Sequence, residues 1–313
     1  MKPRVVVIGA GIAGAACANR LYSSGVAVVL VEKARGPGGR MSTRRMDALA
    51  FDHGTASFGS DEPEFTEELK HWAELGWVSG WVPPWGERAE WVGTPSMNRV
   101  CQSLLQGVST HYGRQVTDIA CTSSLLSVRF ERGPDEVADA VVCTAPAPQA
   151  KVLLEAWESL RGPAARVRYA PAWAGLMAFS APPFGAQEYV DLVRGGQTVA
   201  TAWHDGAKPG RDGRFTWMVH GRPDFSQEFL ERTPIEVADL FMEAVAAHPD
   251  FTRAPVVVNV AHRWRYARPE NPLQSTILQA TDAKVIAAGD WVGGGGVSGA
   301  WMSGTAAAAR VLE

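Results

Sequence analysis

The chain has 313 residues, 46% of them apolar and 20% charged, with a formal net charge of -3. That length exceeds what one small core needs and accommodates two interleaved domains, and the near-balanced charge excludes a general polyanion binder, so no nucleic-acid partner is expected. The four cysteines, Cys17, Cys101, Cys121 and Cys143, form no CxxC pair and none stands beside a histidine at ligand spacing. Reduced, mostly buried thiols and no metal site are therefore expected. No charged, apolar, small-residue cleavage pattern precedes the first strand, and residues 5–17 are too short and too Gly-rich to span a bilayer. A cytoplasmic protein without a membrane partner is the expectation.

Residues 4–8 read as a fully apolar strand, 12–24 as a helix ended by Gly25, and 26–31 as a second apolar strand. Val-rich strands around a helix predict a parallel sheet buried on both faces. Residues 63–75 predict an amphipathic helix with Phe65, Leu69 and Trp72 on one face. The aromatic, Pro-rich stretch 77–91 reads as loop. A helix follows over 96–107, then an antiparallel meander of strands at 116–119, 125–131 and 137–143, with a helix over 147–157. Residues 173–180, 198–203 and 215–220 read as strands of a mainly antiparallel sheet. Thr233 to Glu236 forms a capping box opening a helix to about 247. Strands at 256–260 and 284–288 and a helix over 299–312 close the chain. The fold class is α/β: a Rossmann-type dinucleotide domain (1–60, 92–165 and 256–313) with an inserted α+β domain (61–91 and 166–255), the two ends of the chain sharing one sheet.

Three motifs carry chemistry. Gly9-Ala10-Gly11-Ile12-Ala13-Gly14 follows a strand and opens a helix, and the next strand ends in Glu32, near the spacing of an acid that binds ribose hydroxyls. Gly9 allows the turn, Gly11 lets backbone approach a pyrophosphate, and Gly14 lets helix and strand pack closely; the pyrophosphate would meet the positive helix end. Gly38-Gly39-Arg40-Met41 places a fork of donors that suits phosphate oxygens, the alternative being a solvated loop arginine. Gly289-Asp290, followed by a glycine loop and a helix start, offers a carboxylate to sugar or ribityl hydroxyls, the alternative being a flexible loop.

With these segments, Lys33 to Ser42, Trp91 to Met97, Thr144 to Ala150, Ala261 to Pro269 and Gly289-Asp290-Trp291, the chain resembles the FAD-binding flavoproteins of the amine-oxidase type, and within them the bacterial renalases. The resemblance covers nearly the whole chain. It implies non-covalent FAD contacted by Gly9, Gly11, Gly14, Glu32, Arg40, Met41, Val116, Asp290, Val297 and Ala300. Ile12, Ala13, Lys33, Gly39, Gly54, Thr55, Ala145, Gly289 and Gly299 complete the expected cofactor-binding set. It further implies oxidation of the 2- and 6-dihydro isomers of NAD(P)H to NAD(P)+ by hydride transfer to the flavin, with O2 reduced to hydrogen peroxide.

Two departures bear on the substrate. After Gly54 the renalase pattern has Ala-Gln-Tyr where this chain has Thr55-Ala56-Ser57. The monoamine oxidases carry a C-terminal cysteine that links the flavin and a lysine near flavin N5; here the last cysteine is Cys143, and residues 256–291 hold only Lys284. An amine or other small-molecule oxidoreductase, or a non-catalytic flavin-binding protein, are the alternatives. Trp173, Trp203, Trp217, His262 and Trp264 are the candidate substrate-pocket residues, with core packing as the other reading of each tryptophan. Arg263, Arg265 and Arg268 read equally as holders of a substrate phosphate or as surface charge. Hydride transfer to a flavin needs little acid–base help, so no catalytic acid or base is named.

Overall fold

The structure, a computed structural model, describes residues 3–122, 125–281 and 284–313; residues 123–124, inside the expected meander, lie outside the described set. Among the described residues, a six-stranded sheet runs in the order Leu278–Gln279, Val285–Ala287, Ala140–Cys143, Arg4–Ile8, Ala27–Glu32, Ser109–Tyr112. Arg4–Ile8 pairs in parallel on both sides, with Val6 beside Val29 and beside Val141. Its valines are fully buried, as continuous β-branched runs require when helices cover both faces. Segments from both ends of the chain meet in this sheet.

The strand read as 137–143 is two strands. Glu136–Ala138 stays in a three-stranded antiparallel sheet with Leu125–Phe130 and Val116–Thr122, whereas Ala140–Cys143 joins the parallel sheet. Asp139 is the pivot. Its carboxylate accepts the Arg4 N–H at 2.7 Å and its own N–H donates to the Arg4 carbonyl at 2.8 Å. This fixes where the chain leaves one sheet for the other.

The helix Ile12–Ser23 crosses the closing helix Gly296–Leu312 at very short range. A Cβ on Gly304 would lie 2.0 Å from the Ala13 carbonyl oxygen, and one on Gly14 would lie 1.9 Å from the Gly9 oxygen. Helix Pro63–Glu74 buries the expected face, but Phe65 and Trp72 pack on Trp301 of the closing helix. It therefore belongs with the nucleotide half rather than the inserted one. The stretch expected to be loop at 77–91 contains a hairpin, Val78–Trp81 with Glu90–Gly93, because Trp77, Trp81 and Trp91 pack half-buried against the neighbouring core.

The second sheet has five antiparallel strands, in the order Tyr189–Arg194, Gln197–His204, Thr216–Gly221, Tyr169–Phe179, Val256–Pro269. Its last strand runs 14 residues, not five, and pairs along Tyr169–Phe179. It is thus part of the inserted sheet, although its sequence position suggested the nucleotide domain. One face of the sheet packs on helix Pro234–Ala247 through Trp173, Trp217, Val219 and Phe241. The capping box is present: the Glu236 N–H donates to Thr233 Oγ1 at 3.3 Å, and the Thr233 N–H to Glu236 Oε2 at 2.8 Å. The other face turns toward the nucleotide half.

Candidate cofactor and substrate site

Between the two halves lies one continuous cavity of about 1900 Å³. Ligand pockets for small molecules measure roughly 300–1,000 Å³, so this space holds an extended ligand and a second molecule together. Its walls include Gly9, Gly11, Ile12, Ala13, Glu32, Lys33, Gly39, Arg40, Met41, Gly54, Thr55, Val116, Ala145, Gly289, Asp290, Val297 and Ala300, together with His262 and Trp264. Gly14 and Gly299 stand behind the wall, where they permit close packing instead.

At one end the first helix begins at Gly11 with no side chain capping it. Its first-turn N–H groups and positive dipole end are left for an anion. Glu32 is held by two backbone donors, the Ala10 N–H at 2.8 Å and the Ala34 N–H at 2.6 Å. A carboxylate offers about four acceptor sites, so capacity remains for ribose hydroxyls. The closing helix likewise starts at Gly295 uncapped, with Gly296 and Val297 on the cavity wall.

In the middle, two residues expected to act separately meet each other. The Arg40 guanidinium donates to both Asp290 oxygens, at 2.6 and 2.7 Å, and to the Ala267 carbonyl at 3.1 Å. Burial alone would make Arg40 easier to deprotonate, but the charge of Asp290 and its hydrogen bonds outweigh that and raise the pKa. Arg40 still borders the cavity, and its Nε–H and one Nη2–H are not used in these bonds. Each terminal nitrogen gives one bond to Asp290, because a buried carboxylate needs a paired cation.

At the far end the five-stranded sheet forms the wall. In its register Ala174 stands between His262 and His220, and Ala172 beside Trp264. The small alanines leave the imidazoles and the indole projecting. His53 joins them, its ring 4.9 Å from His262 and 5.1 Å from Trp264, and the Trp264 Nε1 donates to the His53 carbonyl at 2.7 Å. Burial pushes the pKa of all three histidines down to about 4, assisted by His262 and Arg44 for His53, by Arg44 for His262 and by Lys208 for His220. They are neutral at pH 7. The His53 Nδ1 is buried without a partner. Arg44 also lines this end.

Three of the tryptophans expected in the pocket are elsewhere. Trp173 is fully buried, donating to the Phe229 carbonyl at 3.0 Å with Arg263 over its ring. Trp217 packs on Phe184 and His204 in the same core. Trp203 lies behind the wall, against Trp85 and the edge of His220. Strand alternation turns Trp173 and Trp217 to the helix-covered face, and a sequence without known register cannot show that. Arg263 and Arg265, read equally as phosphate holders or surface charge, border the cavity; Arg265 pairs with both oxygens of Glu231, at 2.6 and 2.9 Å, and Arg263 donates to the Leu230 carbonyl. Arg268 lines the cavity, exposed. Ser57, from the departing Thr55-Ala56-Ser57 segment, donates to Glu90, and both line the cavity.

Sequence reasoning missed Arg44, Glu90 and the grouping of the histidines. The Asp-His-Gly run just before Thr55 was the available signal for His53. Nothing in the sequence signals that Lys208 and Asp205 are buried.

Residues 85–312 match the family described as flavin-containing amine oxidoreductase, and residues 7–72 match an NAD(P)-binding Rossmann-like domain. The chain belongs to the flavin-containing amine oxidoreductase family. The fold is shared along its length with the candidate protoporphyrinogen oxidase of Exiguobacterium sp. 255-15, at a TM-score of 0.70, 12% identity and 99% of each chain. It is shared equally with a triple mutant of putrescine oxidase redesigned in cofactor binding, at a TM-score of 0.70, 11% identity and 99% of each chain. A 51-residue stretch is 45% identical to the zeta-carotene-forming phytoene desaturase of Myxococcus xanthus, covering 16% of this chain and 10% of that one. The chain thus spans about a tenth of that curated relative's length.

Membership in the flavin-containing amine oxidoreductases assigns FAD as cofactor and oxidoreductase chemistry. The donor set fits FAD: uncapped helix starts for the pyrophosphate, a free-sided carboxylate at Glu32, and a cavity long enough to reach from Glu32 to Trp264. No helix among the described residues is long and apolar enough to cross a membrane.

Proposed function

We propose that this amine-oxidase-family flavoprotein is a renalase-like oxidase of the 2- and 6-dihydro isomers of NAD(P)H. When bound, FAD supplies the acceptor for a hydride from the substrate ring, which becomes NAD(P)+, and O2 takes the electron pair with two protons as hydrogen peroxide. The observation that carries the reading is the wall at His53, His220, His262 and Trp264. Neutral imidazoles and an indole suit a planar, uncharged ring, and Arg44 beside them favours an anionic tail over a cationic amine. Glu32 and the glycine turn anchor the adenosine and pyrophosphate of the cofactor. The sheet face holds the donor ring and excludes water, and positioning is the larger part of the task. Cytoplasmic residence and O2 as acceptor belong to the same proposal.

The test is anaerobic mixing of the yellow protein with the 2-, 4- and 6-dihydro isomers of NADH and NADPH, following flavin bleaching. Fast bleaching by the 2- or 6-isomers with slow bleaching by the 4-isomers is expected. Bleaching by an amine such as putrescine, and by none of the six, would replace this reading with an amine oxidase.

A further inference from the structure

Behind the histidine wall lies a group of four charges withdrawn from water. Lys208 is 2% exposed, Asp52 1% and Asp205 2%, and the Arg211 side chain is 7% exposed. The Lys208 Nζ stands 2.7 Å from Asp205 Oδ1 and 3.5 Å from Asp52 Oδ2, and Arg211 Nη2 donates to Asp52 Oδ2. Two cations thus balance two carboxylates. The rings of Trp81 and Trp203 lie 5.5 and 6.0 Å from the ammonium, and the same Trp203 carries the edge of His220.

The bonds of this group cross four segments of the chain. Asp205 Oδ2 accepts the backbone N–H of Asp52 at 2.9 Å. Asp52 Oδ1 accepts from Thr43 Oγ1 at 2.6 Å and from the Met97 N–H at 3.1 Å. Arg211 Nη1 donates to the Gly93 carbonyl at 2.7 Å. Thr43 follows Arg40 by three residues, and Asp52 directly precedes His53, Gly54 and Thr55, which line the cavity. Residues 205–211 come from the inserted sheet's side. Removing one partner from a buried ion group leaves an uncompensated charge, which is far costlier than replacing a balanced pair.

We propose that Asp52, Lys208, Asp205 and Arg211 form a charge lock that positions the turn at residues 53–55 against the cofactor, with Lys208 as its central positioning residue. The lock holds the cofactor-facing turn by its backbone and by the carboxylate next to it. It therefore acts through charge balance rather than through contact with any ligand. The cofactor end of the cavity and the inserted sheet are joined by it, so a shift of the 205–211 loop is felt at His53.

The experiment uses the holoenzyme. Lys208→Met leaves one carboxylate in excess. Its FAD is expected to escape on dialysis about tenfold faster, the equivalent of 1.4 kcal/mol, with a shifted visible flavin spectrum. Asp205→Asn combined with Lys208→Met restores neutrality while keeping an acceptor for the Asp52 N–H; its spectrum and FAD retention should return to within about twofold of the parent, a factor well below the tenfold step. A merely structural role would not predict that rescue. Parent-like behaviour of Lys208→Met overturns the proposal, as does equal loss in the single and double variants. Should Lys208→Met not fold, the double variant decides. A soluble, parent-like yellow protein supports the lock, and a colourless or insoluble one overturns it.

Discussion

At the scale of single residues, the pairing of Arg40 with Asp290 matters more than either alone. Asp290 is 4% exposed, and deleting Arg40 would strand its charge. Arg40→Ala should cost about 3 kcal/mol of stability, a loss readable as a lowered midpoint in urea. Asp290→Ala should strip FAD from the protein during purification, because it removes an acceptor from the cavity and releases Arg40; full flavin occupancy in that variant would contradict a role for Asp290 at the cofactor. Glu32→Lys removes the acceptor of two backbone donors and sets a cation on the adenosine end. A colourless product is expected. The placement of Gly9, Gly11, Glu32, Gly289 and Asp290 on one cavity wall was legible in the sequence, since each stands at or just beyond the end of a strand and spacing alone reports that. The Arg40–Asp290 contact was not, because it joins positions 250 residues apart.

Elements show the same division. Strands with strong local signatures, such as Arg4–Ile8, and helices with caps, such as Pro234–Ala247, were read with their ends almost in place. Ser109–Tyr112 was not, since Ser-Thr-His-Tyr carries no apolar run; it is a strand only because the Ala27–Glu32 edge offers partners from Val29 to Glu32. Tertiary pairing overrode local preference there. The strand Val256–Pro269 was cut short for a related reason: its second half is rich in His and Arg and carries no apolar run, yet it pairs along Tyr169–Phe179 as far as Pro269. Two predictions belong at this scale. Thr233→Ala should cost about 1 kcal/mol by removing the cap of helix Pro234–Ala247, with Thr233→Ser largely restoring it, as thermal melts would show. Gly304→Val would force the two glycine-loop helices apart, since even a Cβ meets the Ala13 oxygen at 2.0 Å. A loss of about 3 kcal/mol is expected, together with poorer FAD retention.

For the molecule as a whole, pH is a sensitive probe. His53, His220 and His262 have pKa values depressed from 6.5 to about 4. Between those values the unfolded chain binds more protons than the folded one, so stability is complete above about 6.5 and is lost as pH falls toward 4. A fully depressed, fully buried histidine accounts for at most roughly 3 kcal/mol of that slope, and the two partly exposed ones for less. The melting temperature should therefore fall steeply from pH 6.5 to 4, and His53→Gln should flatten the curve; a flat parent profile would contradict the neutral histidine wall. Burial also separates the thiols. Cys17, Cys101 and Cys143 are buried with pKa values raised to about 12, 12 and 11, while Cys121 is exposed. Native alkylation should label Cys121 alone, and unfolding should release the other three. The sharing of one sheet by Arg4–Ile8 and Val285–Ala287 has a consequence in time. During translation the first glycine turn leaves the ribosome long before the strand and loop that close the far side of its cavity. The nascent chain must carry that turn half-walled, and flavin capture waits until residues beyond 285 have emerged.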